Sequence, residues 1–385
     1  MRSHLELADI FTKFESELGN QLPESHKVVN AIKSCRTAKL GGHKLKCGSC
    51  HHEKNAYNSC RNRHCPKCQF LKKVKWVEKR KEDLLPCQYF HVVFTVPSEL
   101  RSLFKYNKEQ CFNLLFKASS ETMKEVAKNE KNLGADIGFT GILHSWGQNL
   151  VFHPHVHFVV PGGGLNKVKN KWIHCPKDYF LPVRVLSQVF RAKMLKGLRE
   201  MFDKNELKFF YDIDYLADYK SFFELLTSLS QIDWLIYSKK PFAGPEQVIN
   251  YLGHYTHRIA ISNYRLVKIE DGKVFFKVRD KDNPGKSKVM SLSAKEFMRR
   301  FLSHVLPKGY MRIRHFGLLG NRYRREKIAL IRKLEKIVER YQSAQKETWQ
   351  ELLKRVTGVE INKCSKCSEG EYEVCYPSEV RGNSS

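Results

Sequence analysis

The chain has 385 residues, 42% of them apolar and 12% aromatic, which excludes wholesale disorder and leaves room for two or three domains. Lys and Arg number 68 against 40 acidic residues, and the net charge of +28 argues against an ordinary enzyme of small metabolites. That balance points to a polyanionic partner, nucleic acid first and an anionic membrane surface second. No apolar run approaches the ~18 residues that cross a bilayer. Met1–Phe14 carries Arg2, Glu6, Asp9 and Lys13 in place of a signal-peptide core, so the expected compartment is the cytoplasm. Twelve cysteines there point to metal rather than disulfides.

In chain order, Leu7, Ile10, Phe11, Phe14 and Leu18 recur at helical spacing, as do Val28, Val29 and Ile32, and they predict two helices over residues 5–35. Residues 40–68 are short, Gly-punctuated and rich in Cys and His. Residues 69–85 read as a basic helix ending before Pro86. YFHVVFTVP is a β-rich run, and 98–130 look helical. GFTGILHSWGQNLVFHPHVHFVV reads as two strands with a turn near Gln148–Leu150, followed by PGGGL as a further turn. Helices are expected over 187–209, 219–229 and from Pro245, then a hairpin over 263–292 turning at Asp271-Gly272. A long basic helical stretch over 321–355 and a polar, irregular tail from Gly358 complete the chain.

The positive charge is uneven. Cys35–Lys81 holds 14 Lys/Arg against Glu53 and Glu78, and Lys308–Arg340 holds 11 against three acids. A charge run is usually a solvated face, but this excess predicts phosphate contact for at least one of them.

Cys47-x-x-Cys50 and Cys65-x-x-Cys68 are two knuckles, and together they offer the tetrahedral sulfur set of a structural zinc. Cys60, with the spacing Cys60-x4-Cys65-x2-Cys68, is an alternative ligand, and His51, His52 and His64 lie in the same window. Arg61, Arg63 and Lys67 around the metal, with Lys72 and Lys73 on the following helix, suit phosphate contact. Cys364-x-x-Cys367 is followed only by Cys375, which makes three thiolates and an incomplete set. Cys35, Cys87, Cys111 and Cys175 read as ordinary buried residues.

FHPHVHFVV places His153, His155 and His157 on one face of a strand and Val156, Phe158 and Val160 on the other. Imidazoles inside an apolar strand point to a metal with an open position for substrate. Gln148, at the turn, and His144, on the preceding strand, are both candidates for a third donor. YLGHYTHR puts Tyr251 and Tyr255 four residues apart on one helix face. Gly253 inside that helix costs ~1 kcal/mol, which fits close approach of another group. A phenol is a poor nucleophile alone, but a metal-polarised phosphodiester would accept it and leave a covalent phosphotyrosine.

HPHVH resembles the HUH motif, and YLGHY resembles the paired nucleophiles of two-tyrosine HUH enzymes. With CGSCHHEKNAYNSCRNRHCPKCQ and GYMRIRHFGLL, the chain is similar over about residues 5–320 to the rolling-circle transposases of the insertion-sequence-91 family. The resemblance implies an α+β fold: a central antiparallel, RNA-recognition-like sheet flanked by helices, after a small N-terminal helical zinc-binding domain. The division expected is 1–86 for the N-terminal helices and zinc-binding domain, 87–320 for the catalytic domain and 321–385 for a basic helix and tail. It also implies Mg²⁺ or Mn²⁺ on His155 and His157, with Gln148 set beside them and His144 or His254 as alternatives. Tyr251 or Tyr255 would attack single-stranded DNA at a transposon end, leaving a 5′-phosphotyrosine and a free 3′-OH. Arg258, Arg312 and Arg314 join the expected DNA contacts; on the first strand His91 and Thr95 either face DNA or belong to alternating core packing. The setting implied is the nucleoid of a bacterial cytoplasm; the sequence sets no oligomeric state. A replication initiator or relaxase would use the same residues. A non-catalytic zinc DNA-binding regulator would need the cysteines but not His155, His157 or Tyr251.

Overall fold

The computed structural model describes residues 5–19, 22–239, 247–248, 253, 259–280, 282–283, 285–337 and 347–375. The chain opens with α1 (Leu7–Lys13) and α2 (Pro23–Ser34). Then come β1 (Gly42–Cys47), β2 (Glu53–Tyr57) and the basic helix α3 (Gln69–Lys81). The middle of the chain runs β3 (Tyr89–Thr95), α4 (Arg101–Tyr106), α5 (Lys108–Lys128), β4 (Gly138–Trp146) and β5 (Phe152–Pro161). It continues with β6 (Gly163–Asn166), β7 (Lys171–His174), α6 (Val183–Asp203), α7 (Tyr219–Gln231) and β8 (Ile236–Lys239). The last part holds β9 (Leu266–Glu270), β10 (Lys273–Arg279), β11 (Ser287–Ser293), a helix Ala294–Ser303 and β12 (Ile313–Gly317). Helices Arg324–Leu334 and Trp349–Thr357 and strand β13 (Tyr372–Cys375) complete it.

The architecture is α+β. Its centre is a five-stranded antiparallel sheet in the order β12-β4-β5-β3-β8. All nine residues of β4 are buried, as a central strand covered on both faces requires. One face is apolar: Phe90, Phe94, Phe139, Val156 and Phe158 pack on α5 and α6 through Phe112, Leu115, Phe116 and Phe190. The α5 contacts recur every three or four residues, so the helix lays one stripe along the sheet. Gly141 sits in mid-strand because a Cβ there would come within 2.6 Å of the Phe158 ring and 3.2 Å of Phe116.

A second core joins α1, α2, the sheet β11-β10-β9 and the Ala294–Ser303 helix, with Phe11 edge-on to Phe301 at 5.6 Å. Trp146 and Leu150, at the far end of β4, belong to it. The N-terminal helices therefore brace the end of the strand that carries His144.

Several expectations need correction. The 263–292 segment is three strands, because the residues after Arg279 return as β11. PGGGL is not a turn: Gly163 and Gly164 lie in β6, paired with β7. A Cβ on Gly163 would meet the Trp172 indole at 2.4 Å, so this glycine makes room for a ring. The basic stretch 321–355 contains two helices, with 338–346 outside the described residues. The tail is not irregular, since β13 pairs with β1 and completes the sheet β13-β1-β2.

Candidate active site

The opposite face of the central sheet carries the histidines. Ladder pairing sets His144 on β4 directly across from His155 on β5, and Ile142 across from His157. A ligand nitrogen from each of His144, His155 and His157 lies within 4.8 Å of the others. His144 is 2% exposed and stacks on Trp146 at 4.8 Å. His155 Nδ1 donates to the His153 carbonyl at 2.6 Å, which places the acceptor lone pair of the neutral ring on Nε2. His157, 7% exposed, shares a 2.8 Å hydrogen bond from Nδ1 to Nε2 of His91, and the two rings stack at 5.0 Å.

His153, on the same strand face, is not part of the group. It stands 3.4 Å from Arg101, and burial, then that guanidinium, lowers its pKa. His91 is buried beside His157, as core packing of the first strand would have it. The third donor brought to the pair is His144. Gln148 lies past the end of β4 in the turn, where its carbonyl accepts from Arg265.

Tyr251, Tyr255, His254 and Arg258 lie outside the described residues. Two neighbours of Tyr251 are described. Val248 is buried among Leu84, Tyr89, Ile142 and Val159, on the histidine face. At Gly253 a Cβ would come within 2.8 Å of Val77 and 3.2 Å of Lys73, so α3 packs closely against it.

The cysteines fall into two groups, not one. Cys35, Cys60, Cys65 and Cys68 form the first, and Cys47, Cys50, Cys364 and Cys367 the second. The single set Cys47, Cys50, Cys65 and Cys68 is thus overturned: the two knuckles belong to different clusters because β1 carries the first toward the tail while Cys65 enters the α1–α2 core. In the first group, Sγ of Cys68 lies 3.4 Å from that of Cys35 and 3.6 Å from that of Cys60. Four sulfurs ~2.3 Å from a tetrahedral zinc stand about 3.8 Å apart, so the spacing fits a closed structural site. Cys35, read from the sequence as a core residue, completes it; 25 residues of chain separate it from Cys60 and no knuckle spacing marks it. Cys175 is buried and Cys87 half-buried, and desolvation pushes each thiol up to about 12.

A family model described as "Transposase zinc-binding domain" matches residues 7–96, and one described as "Putative transposase" matches residues 138–327. "Putative transposase y4qJ" of Sinorhizobium fredii is 45% identical over 96% of this chain and 94% of its own length. The chain belongs to the insertion-sequence-91 family of transposases. "Transposase for insertion sequence element IS801" of Pseudomonas savastanoi is 28% identical over 77% of this chain and 70% of its own length. No solved structure matches.

The partner of a transposase is DNA, and among the described residues no helix is long and apolar enough to cross a membrane. The cations named from the sequence are placed differently from one another. Lys67 pairs with Glu6 and donates to the Cys35 carbonyl, so it serves the first cysteine group. Arg63 donates to the Tyr310 carbonyl at 2.6 Å. Arg312 is 7% exposed, and burial, then the nearby Arg63, lowers its pKa to about 10. Arg63 and Lys67 are half-buried and Arg312 is buried. Lys72 reaches the Arg61 carbonyl, and Lys73 packs toward Gly253. Arg314 lies over the Phe116 ring and donates to Asn113.

Arg314 also lines a cleft of about 830 Å³ with Trp76, Lys79, Arg80, Lys308, Met311 and His315. His315 bonds Thr140 across the β12–β4 ladder, which sets this part of the cleft on the same sheet face as the histidines. Trp76, Lys79 and Lys308 were not singled out from the sequence. Their signal was the density of the two basic runs, which the fold brings to one cleft.

Proposed function

We propose that this transposase cuts and rejoins single-stranded DNA at the ends of its element through a tyrosine nucleophile. The observation that carries the reading is the triad of His144, His155 and His157 on a sheet face against which Val248, three residues before Tyr251 in sequence, is also buried. A divalent cation on the three imidazoles would polarise a scissile phosphodiester and stabilise charge on its oxygens. Nitrogen donors suit a first-row transition ion better than Mg²⁺, which demands oxygen, so Mn²⁺ is the preferred choice.

The hydroxyl of Tyr251 or Tyr255 attacks phosphorus; the bond to the 3′ oxygen breaks, and that oxygen leaves as a free 3′-OH. The phosphotyrosine keeps the ester energy, and a 3′-OH attacking it rejoins a strand without ATP. His91 and the His153 carbonyl hold His157 and His155 in the orientation that this chemistry needs. The basic cleft beside β12 carries the strand, with Trp76 offering a surface for base stacking. Gln148 remains the competing third donor, and Cys35, Cys60, Cys65 and Cys68 hold the zinc of the zinc-binding domain.

The test is formation of a denaturant-resistant protein–DNA species on single-stranded DNA from the element's ends. A non-catalytic zinc regulator would bind that DNA and form none, and it would have no use for three converging histidines.

A further inference from the structure

The second cysteine group has no place in the chemistry above, and half of it lies outside both matched family regions. Cys47 ends β1 and Cys50 lies in the turn that follows; Cys364 and Cys367 come from the tail. Sγ of Cys47 lies 3.8 Å from that of Cys367, and Sγ of Cys50 lies 3.6 Å from that of Cys364. Those spacings match the ~3.8 Å edge of a tetrahedral zinc–thiolate site. A disulfide would need ~2.05 Å.

The two knuckles are built alike. The residue after the second cysteine takes a left-handed conformation in both, with φ 56° at His51 and 59° at Ser368. Its amide donates back to the carbonyl of the first cysteine at 3.0 Å in both. Backbone amides also point at sulfur: Cys50 to Cys47 at 3.5 Å, Lys366 to Cys364 at 3.4 Å and Gly370 to Cys367 at 3.4 Å. Such bonds favour thiolate over thiol. Gly370 lies so close that a Cβ there would meet Cys47 Sγ at 2.5 Å. Two copies of one ligand-presenting turn, facing each other across a shared sheet, are difficult to explain as packing alone.

We infer that Cys47, Cys50, Cys364 and Cys367 bind a second zinc ion, which clasps the tail onto the N-terminal ribbon. Binding exchanges thiol protons to solvent for four zinc–sulfur bonds, with no change of oxidation state. Cys375, the third cysteine of the tail, pairs with Lys44 along the strand and lies outside the group. The clasp ties the tail to the β1–β2 ribbon and holds the Trp349–Thr357 helix near α3, where Arg355 stands 3.7 Å from Glu78.

The test counts sulfur-bound metal in the full-length protein. Cobalt-substituted protein should show thiolate charge-transfer absorption for two tetrahedral sulfur sites, and the three-histidine site adds nothing to that band. The Cys364→Ser/Cys367→Ser double variant should keep one site and lose about half the band, and its zinc content should fall by one ion per chain. Limited proteolysis should then cut within the tail of the variant and spare the wild type. Wild-type protein with one sulfur-bound metal would overturn the inference, whether or not the variant folds. So would a double variant that keeps the full band, or iron in this group.

Discussion

His144→Ala, compared with Gln148→Ala, separates the two candidates for third donor. His144 is 2% exposed and its ring fills the space between Trp146 at 4.8 Å and His157 at 4.7 Å. Truncation leaves a cavity and is expected to cost ~2–4 kcal/mol of stability without added metal. The ligand effect is distinct. Outer-sphere changes already cost 10–100-fold in metal affinity, so losing a direct ligand should cost more than ~100-fold. At a Mn²⁺ concentration of 100 Kd the wild type gains ~2.7 kcal/mol of stability, and a 100-fold weaker variant gains ~0.4 kcal/mol. Thermal unfolding with and without Mn²⁺ in chelator-free buffer reads both numbers. His144→Ala should lower Tm and nearly abolish the Mn²⁺ shift, while Gln148→Ala keeps the shift. The reverse pattern would refute the assignment of His144.

Cys35→Ser should release one zinc and lower Tm markedly, because structural zinc contributes on the order of 10 kcal/mol to small folds; Cys111→Ser, in the apolar core, should leave the zinc count unchanged. Burial holds His304 down to about 3 and His315 to about 4, the latter helped by Arg80 and Arg324. Since both values are below the unfolded ~6.5, the unfolded chain takes up protons first. Stability is then complete above about pH 6.5 and falls by ~1.4 kcal/mol per unit per histidine as pH drops toward the folded values. Denaturant titrations at stepped pH should show this slope, and His304→Gln should flatten it. Single-stranded DNA affinity should fall with salt, and Lys308→Ala with Arg314→Ala should reduce the log–log slope by about 1.4, as loss of two phosphate contacts requires. An unchanged slope would remove those two side chains from the interface.

Much of the catalytic core was readable as pattern. The alternation in YFHVVFT and FHPHVHFVV marks two strands with one apolar face, and pairing sets His91 and His157 side by side. What the pattern could not convey was partnership. Knuckle spacing says that Cys47 and Cys50 share an ion; only the long-range pairing of β1 with β13 says with whom. Cys35 carries no spacing signal and reaches Cys60, Cys65 and Cys68 through the packing of α2. A register shift between His144 and Trp146 sets His144 opposite His155. Charge, likewise, does not convey placement. Lys67 and Arg312 look like surface cations in a basic run, yet Glu6 neutralises one and burial encloses the other.

The central claim is a tyrosine nucleophile served by the histidine triad. The most direct measurement incubates the full-length transposase with single-stranded DNA from the ends of its element, with and without Mn²⁺, and resolves the products under denaturing conditions. The expected result is a covalent protein–DNA band that needs the metal, disappears in Tyr251→Phe/Tyr255→Phe and is lost in His155→Ala, while DNA binding persists in both variants. A band of undiminished intensity in the double tyrosine variant would contradict the account.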